Sequence, residues 1–120
     1  MQIYTFGRMQ EAKDVMSEIG VTPRGIQIMA EKAVFLPVRL ENLDTRAANI
    51  LKQTMLSQGA EAAVSAETVN LSASHTDVLV LATAAQLKKA VPRLKEQPWG
   101  LRNTAQELEK LLEKVLEGDC

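Results

Sequence analysis

The chain carries few side chains with catalytic chemistry. His75 is its only imidazole and Cys120 its only thiol. A nucleophilic triad needs a base beside a Ser or Cys, and a metal site needs several His, Cys or carboxylate ligands at recognisable spacing. One His and one Cys, 45 positions apart, supply neither. His75 stands in "SASHTD", a polar lead-in to an apolar run, and reads as an exposed loop residue. The glycines at 7, 20, 25, 59, 100 and 118 are isolated, so no Gly-rich phosphate loop or dinucleotide fingerprint occurs. No catalytic residue, metal ligand or cofactor site is assigned.

The best-spaced polar residues lie in "AANILKQTMLSQGAEAAVS" (47–65). Asn49, Lys52 and Gln53 fall on one side of an amphipathic helix, with Leu56 beside them, opposite Ala47, Leu51 and Met55. Two readings are open: a solvated helix face, or a surface for a partner or ligand, marked by one exposed Leu among amides. Thr83 joins the candidates because ligand sites in α/β folds collect at the carboxyl ends of strands. A hydroxyl at a helix N-terminus suits a weak anion site. Capping explains Thr83 equally well, since Gln86 completes a capping box. Lys88, Lys89, Arg93, Lys95 and Arg102 face an acidic tail of Glu107, Glu109, Glu113, Glu117 and Asp119. Charge compensation within the fold is the first reading of these, a docking patch for an acidic partner the second.

The elements that must position these residues follow from periodicity and punctuation. Residues 2–6 read as a short strand and 8–19 as a helix with Met9, Ala12, Val15, Met16 and Ile19 on its apolar face, ended by Gly20 and Pro23. Residues 25–33 fit either a short helix, which we favour, or a strand. The stretch 34–40 reads as a strand in which Pro37 demands an edge or a bulge. Asp44 is a suitable N-cap for the next helix, and Gly59 closes it. Residues 61–64 and 68–71 are weak strands. "TDVLVLA" (76–82) is strong, and its unbroken run of Leu and β-branched residues predicts burial on both faces. Leu87, Ala90, Val91 and Leu94 form a helical stripe that Pro92 should kink or split. After a turn at 97–100, a last helix is expected from near Thr104, with Glu107 completing its capping box. The fold class is α/β (α+β-like): a compact two-layer sandwich, with a mixed sheet of about 4–5 strands and helices mainly on one face.

Composition narrows the function classes. At 120 residues the chain is expected to form one domain, which buries roughly 65% of its unfolded surface. Hydrophobic residues make up 46% and charged residues 24%, which excludes a disordered chain. The net charge of −1 gives no footprint for nucleic acid and no pull toward anionic membranes. Only Tyr4, Phe6, Phe35 and Trp99 are aromatic, too few for a base-stacking platform. A lone Cys suits a reducing compartment. The start has no signal-peptide pattern, and the longest apolar run, "VLVLA" (78–82), is too short to span a bilayer. A cytoplasmic chain without nucleic-acid or membrane partners is expected.

Three stretches taken together resemble a known family: "IGVTPRGIQIMAEKA" (19–33), "AANILKQTMLSQGAEAAV" (47–64), and "TDVLVLATAAQL" (76–87) with the later "QPWGL" (97–101). They are similar, in the same order, to the N-terminal accessory domain that precedes the barrel in some bacterial and archaeal dihydropteroate synthases. The resemblance implies folate biosynthesis. In that family a dihydropterin pyrophosphate is joined to p-aminobenzoate inside a (β/α)₈ barrel that opens with an Asn-Val-Thr-Pro-Asp-Ser-Phe segment. No such segment occurs here, and a barrel takes roughly 250 residues. No catalytic residue therefore transfers to this chain. The resemblance implies a non-catalytic assembly, docking or regulatory domain, cut at a domain boundary or free-standing. Its partners would be the catalytic barrel of the same or another chain, or further copies of itself. The alternative is a stand-alone sensor of a pterin or other folate-pathway metabolite, or a protein-interaction domain. Because "ANILKQ" recurs in the family, the resemblance favours the partner or ligand surface at Asn49, Lys52 and Gln53.

Overall fold

A computed structural model describes residues 1–68 and 70–117. The chain opens with residues 2–6, which form no strand: Phe6 alone makes a parallel bridge, to Val34, before the backbone turns into helix α1 (Met9–Ile19). Gly20, at φ 93°, ends α1 in the left-handed conformation that glycine adopts freely, and its N–H donates to the carbonyls of Met16 and Ser17. Met9 and Ala12 are buried as expected, but Ile19 at the frayed end is exposed. Helix α2 (Pro23–Ala33) resolves the helix-or-strand ambiguity of that stretch. Thr22 caps it by accepting from the Gly25 N–H at 3.1 Å, and Pro23 pre-sets its first turn.

Strand β1 (Phe35–Asp44) leads directly into helix α3 (Thr45–Ser57), then β2 (Glu61–Val64), a 3₁₀ turn (Ala66–Thr68), β3 (His75–Thr83), helix α4 (Ala84–Lys95) and helix α5 (Leu101–Glu117). The sheet has three strands in the order β1-β3-β2, and both pairings are antiparallel. The expected sheet of four or five strands with mixed pairing is thus corrected. Residues 2–6 contribute one bridge, and Thr68 ends a 3₁₀ turn instead of starting a strand. Local hydrogen bonds favour the turn: the hydroxyls of Ser65 and Thr68 lie 3.0 Å apart, and the Ser72 N–H donates to Asn70 Oδ1. Pro37 sits on edge strand β1, where its missing donor faces no neighbour across a ladder. The bulge falls later, between Leu40 and Leu43, with Asn42 at φ 56° and its N–H donating to Asp77.

Because β1 and β2 each run antiparallel to β3, they run parallel to one another with β3 inserted between them. Helix α3 makes the crossover, a split β-α-β unit. It lays Ala47, Ala48, Leu51 and Met55 on the sheet, where they meet Leu40, Ala62, Val78, Val80 and Ala82. Leu87 and Leu94 of α4 join Leu101 and Leu108 of α5 to complete the core. The expected burial of β3 on both faces is corrected: Thr76, Val78, Val80 and Ala82 are buried, but Leu79 on the other face is exposed.

Two helical expectations also change. Helix α4 runs unbroken through Pro92. The proline removes one hydrogen bond in the final turns, and the burial of Val91 and Leu94 on either side holds the helix. Helix α5 begins at Leu101, not near Thr104, because Trp99 (φ 65°) and Gly100 (φ 84°) turn the chain back early and Leu101 is fully buried. Thr104 is buried in the first turn, its N–H donating to the Gly100 carbonyl, and does not act as a cap. Of the basic residues, Lys95 pairs with Glu109 at 2.9 Å and Lys88 with Glu31 at 3.2 Å. Charge compensation therefore accounts for these two. Asp119 and Cys120 lie outside the described residues. Among the described residues no helix is long and apolar enough to cross a membrane.

Candidate functional site

Helix α3 separates its faces at a spacing of three and four residues. One row, Asn49, Gln53 and Ser57, with Ile50 and Thr54 beside it, turns away from the sheet toward the carboxyl end of α4. There it meets Arg93, Glu96 and Gln97 and forms an open groove of about 590 Å³. The two helices run antiparallel along it. Arg93 reaches back to donate to Ser57 Oγ at 3.3 Å. Further toward the start of α4, Gln86 donates to the Gln58 carbonyl at 3.2 Å. At the other end, Arg46 lies over the Trp99 ring, 3.6 Å from its centroid, a cation–π contact that ties the start of α3 to the α4–α5 turn.

Each sequence-level candidate has a definite place. Asn49 and Gln53 line the groove. Asn49 is half-committed, since its Nδ2 donates to the Thr68 carbonyl at 3.0 Å and anchors α3 to the 3₁₀ turn. Gln53 is exposed. Lys52 leaves the group: its ammonium donates to the Ala62 carbonyl at 2.8 Å and to Glu61 Oε1 at 3.2 Å. There it satisfies a carbonyl of edge strand β2, a common use of Lys at sheet edges. Leu56 is exposed on the solvent side. Thr83 caps α4, accepting from the Gln86 N–H at 3.2 Å while its own N–H donates to Gln86 Oε1 at 2.9 Å. That reciprocal box occupies the hydroxyl and accounts for its position. His75 is exposed, as expected, but starts β3 and shares a hydrogen bond with the Ser74 hydroxyl.

On the α4 side of the groove, sequence reasoning missed Glu96 and Gln97 and singled out Arg93 only as one of a basic group facing the acidic tail. Their signal was present as an i, i+4 row, 93 to 97, matching 49 to 53 on α3. Only the pairing of the two helices brings the rows together.

The strongest electrostatic perturbations lie elsewhere. Arg46 holds the Asp44 carboxyl far below the usual carboxylate range, chiefly through its guanidinium hydrogen bonds and next through its backbone N–H. Arg39 lowers Asp77 in the same way, helped by the Asn42 N–H. The Ala62 N–H and then Lys52 lower Glu61. These are capping and edge-strand pairs. The groove itself offers amides that donate and accept, one guanidinium and one carboxylate. That lining suits recognition by hydrogen bonding. Among the described residues no three His, Cys, Asp or Glu side chains converge as metal ligands.

Fold and groove together define a one-sided α/β module with an open groove, lined by apolar carbon as well as amides, between two antiparallel helices. The chain is similar to part of two proteins whose names include dihydropteroate synthase. The chain is 34% identical over 104 residues to a probable bifunctional folylpolyglutamate synthase/dihydropteroate synthase of Halobacterium salinarum, covering 87% of this chain and 12% of that protein. It is 29% identical over 100 residues to a bifunctional dihydropteroate synthase/dihydropteroate reductase of Helicobacter pylori, covering 83% of this chain and 26% of that protein. The chain thus spans a small part of the curated relatives it matches. No family model matches the chain. No solved structure matches it.

Proposed function

We propose that residues 1–120 form one accessory domain of a dihydropteroate synthase in folate biosynthesis, serving assembly, docking or regulation without catalysis of its own. The observation that supports this is the alignment. Two bifunctional proteins whose names include dihydropteroate synthase match nearly the whole of this chain, yet only through about 100 of their own residues. A segment of this size shared with larger proteins is what a module joined to a catalytic body looks like. The α3–α4 groove is the docking surface in this reading. The exposed amide of Gln53 and the remaining donors of Arg93 present hydrogen-bonding capacity toward a catalytic barrel, in the same polypeptide or in another.

The test begins with an immunoblot of the source organism using an antibody against this domain. If the band is larger by roughly a barrel of 250 residues, residues 1–120 are deleted from that protein. If it is at 13.2 kDa, the chain is titrated against the organism's dihydropteroate synthase. The expected outcome is lost assembly or altered kinetics in the first case and a complex weakened by Gln53→Ala in the second. Unchanged assembly, stability and kinetics, or no complex, overturns the proposal. A second reading, a sensor of a pterin or other folate-pathway metabolite, is favoured by the groove's mix of Asn49, Gln53, Gln97 and Arg93. Calorimetry with those metabolites distinguishes it, since heat of binding at the groove supports the sensor.

A further inference from the structure

The sheet of this molecule is finished on one side only. Helices α3 and α4 bury the face carrying Leu40, Val78, Val80, Ala82 and Ala62. The opposite face carries Phe35, Pro37 and Arg39 from β1, Leu79 and Leu81 from the central β3, and Ala63 from β2. Phe35 is 51% exposed and Leu79 39%, although Leu79 sits in the middle of the central strand. Unbroken runs of Leu and β-branched residues, such as 78–82, belong to strands covered on both faces. Here one face is uncovered. A contiguous apolar patch rimmed by polar residues marks an interaction surface.

We propose that a second copy of this chain covers this face, giving a two-fold dimer with the sheets packed face to face. Charge supports that occupant. Arg39 is paired with Asp77 at 2.7 Å, and Glu61 with Lys52 at 3.2 Å. Each charge named on this face is therefore neutralised within one copy. Glu41, exposed beside Arg39, adds one carboxylate at the end of the face. Such a face carries little charge to repel itself across a two-fold axis or to draw in a strongly acidic or basic partner. Relief supports it as well. Across the strands, Arg39, Leu79 and Ala63 form one row, and Pro37, Leu81 and Glu61 the next. Leu79 thus projects beside the low Ala63, and Leu81 beside the flat Pro37. A two-fold rotation sets the projecting side chains of one copy over the low positions of the other, the interdigitation that sheets packed about 10 Å apart require.

The area sets the strength. The nine residues of β3 at about 3.3 Å each give a face about 30 Å long, three strands wide (about 15 Å) only over the four residues that pair with β2 and narrower elsewhere. With side-chain relief this is a few hundred Å² per copy, below the roughly 800 Å² of a standard interface, so the dimer is expected to be weak and to form only toward the upper end of a micromolar-to-millimolar concentration range. The proposal rests on the sheet face alone and stands or falls apart from the groove on the helical side.

Sedimentation equilibrium of the 120-residue chain between 1 μM and 1 mM tests it. Leu79→Glu is the main variant, because the new carboxylate lies opposite Arg39 and leaves the monomer fold supported. Leu79→Ser serves if Leu79→Glu fails to fold. The expected result is a reversible monomer–dimer equilibrium in the parent chain and at least a tenfold rise in Kd in either variant, with Gln53→Ala in the groove leaving Kd unchanged. A chain that stays monomeric to 1 mM overturns the proposal and hands this face to another occupant. A dimer that survives both substitutions overturns it too.

Discussion

At the centre of β3 the two faces of the sheet differ less in composition than in what lies over them. On β3, Val78, Val80 and Ala82 point into the core, and their neighbours Leu79 and Leu81 point out. The outward residues are as apolar as the inward ones. What separates them is that α3, the crossover between β1 and β2, and α4, which follows β3 without a break, both lie over the same face. Hydrophobicity at a position states a demand for burial; topology decides whether the chain meets that demand itself. On the inner face it does, and on the outer face it leaves the demand open.

The comparison is broken most directly by paired substitutions on adjacent residues of one strand. Val80→Ala on the inner face should cost about 2 kcal/mol in urea denaturation, from lost transfer energy and an unfilled cavity. Leu79→Thr on the outer face, measured at about 1 μM where single copies dominate, should change stability by less than about 0.5 kcal/mol. Equal losses would mean that the outer face is packed by this chain after all.

A smaller effect sharpens the same contrast on α3, between a residue used by the fold and one left to the groove. Asn49→Ala removes the bond to the Thr68 carbonyl and should cost about 1 kcal/mol in chemical denaturation. Gln53→Ala, four residues on and exposed, should stay within about 0.5 kcal/mol. If Gln53→Ala proves the more costly, the division between anchoring and presenting residues is wrong.

The smallest effect is one of pH. Asp44 has a folded pKa held below its unfolded value by Arg46. Its stabilising contribution is therefore complete above the ordinary carboxylate pKa, about 3.9, and is lost as pH falls from there toward the folded value. Asp44→Asn should flatten the acid limb of the thermal-stability profile below about pH 4 and leave the relative profile near neutrality unchanged. An acid limb identical in both proteins would remove Asp44 from the account.

Much of the fold was legible from local signals. Gly20, Asp44 and the Thr83–Gln86 box mark helix boundaries because a cap is satisfied within a few residues. Ala47, Leu51 and Met55 declare their face through spacing alone. The strand at 61–64 was visible too, and Pro37 pointed to an edge. Thr104 misled because the Thr-x-x-Glu pattern fits a cap anywhere, and burial of Leu101 pulled the helix start forward. Lys52 misled because helical spacing shows which way a side chain leaves, not which distant strand edge it reaches. Half of the groove was hidden for the same reason: Arg93 and Gln97 lie some 40 positions from Asn49 and Gln53.

By itself the sequence determined most of the helices with the caps of α1, α3 and α4, the central strand and the polar row on α3, since each depends on contacts within one or two turns of chain. Tertiary structure alone decided that the sheet stops at three antiparallel strands, that Lys52 closes an edge while Gln53 stays free, and that Leu79 faces outward uncovered. Those outcomes depend on pairings between residues far apart in sequence. Register and crossover position settle such pairings, and local propensity does not.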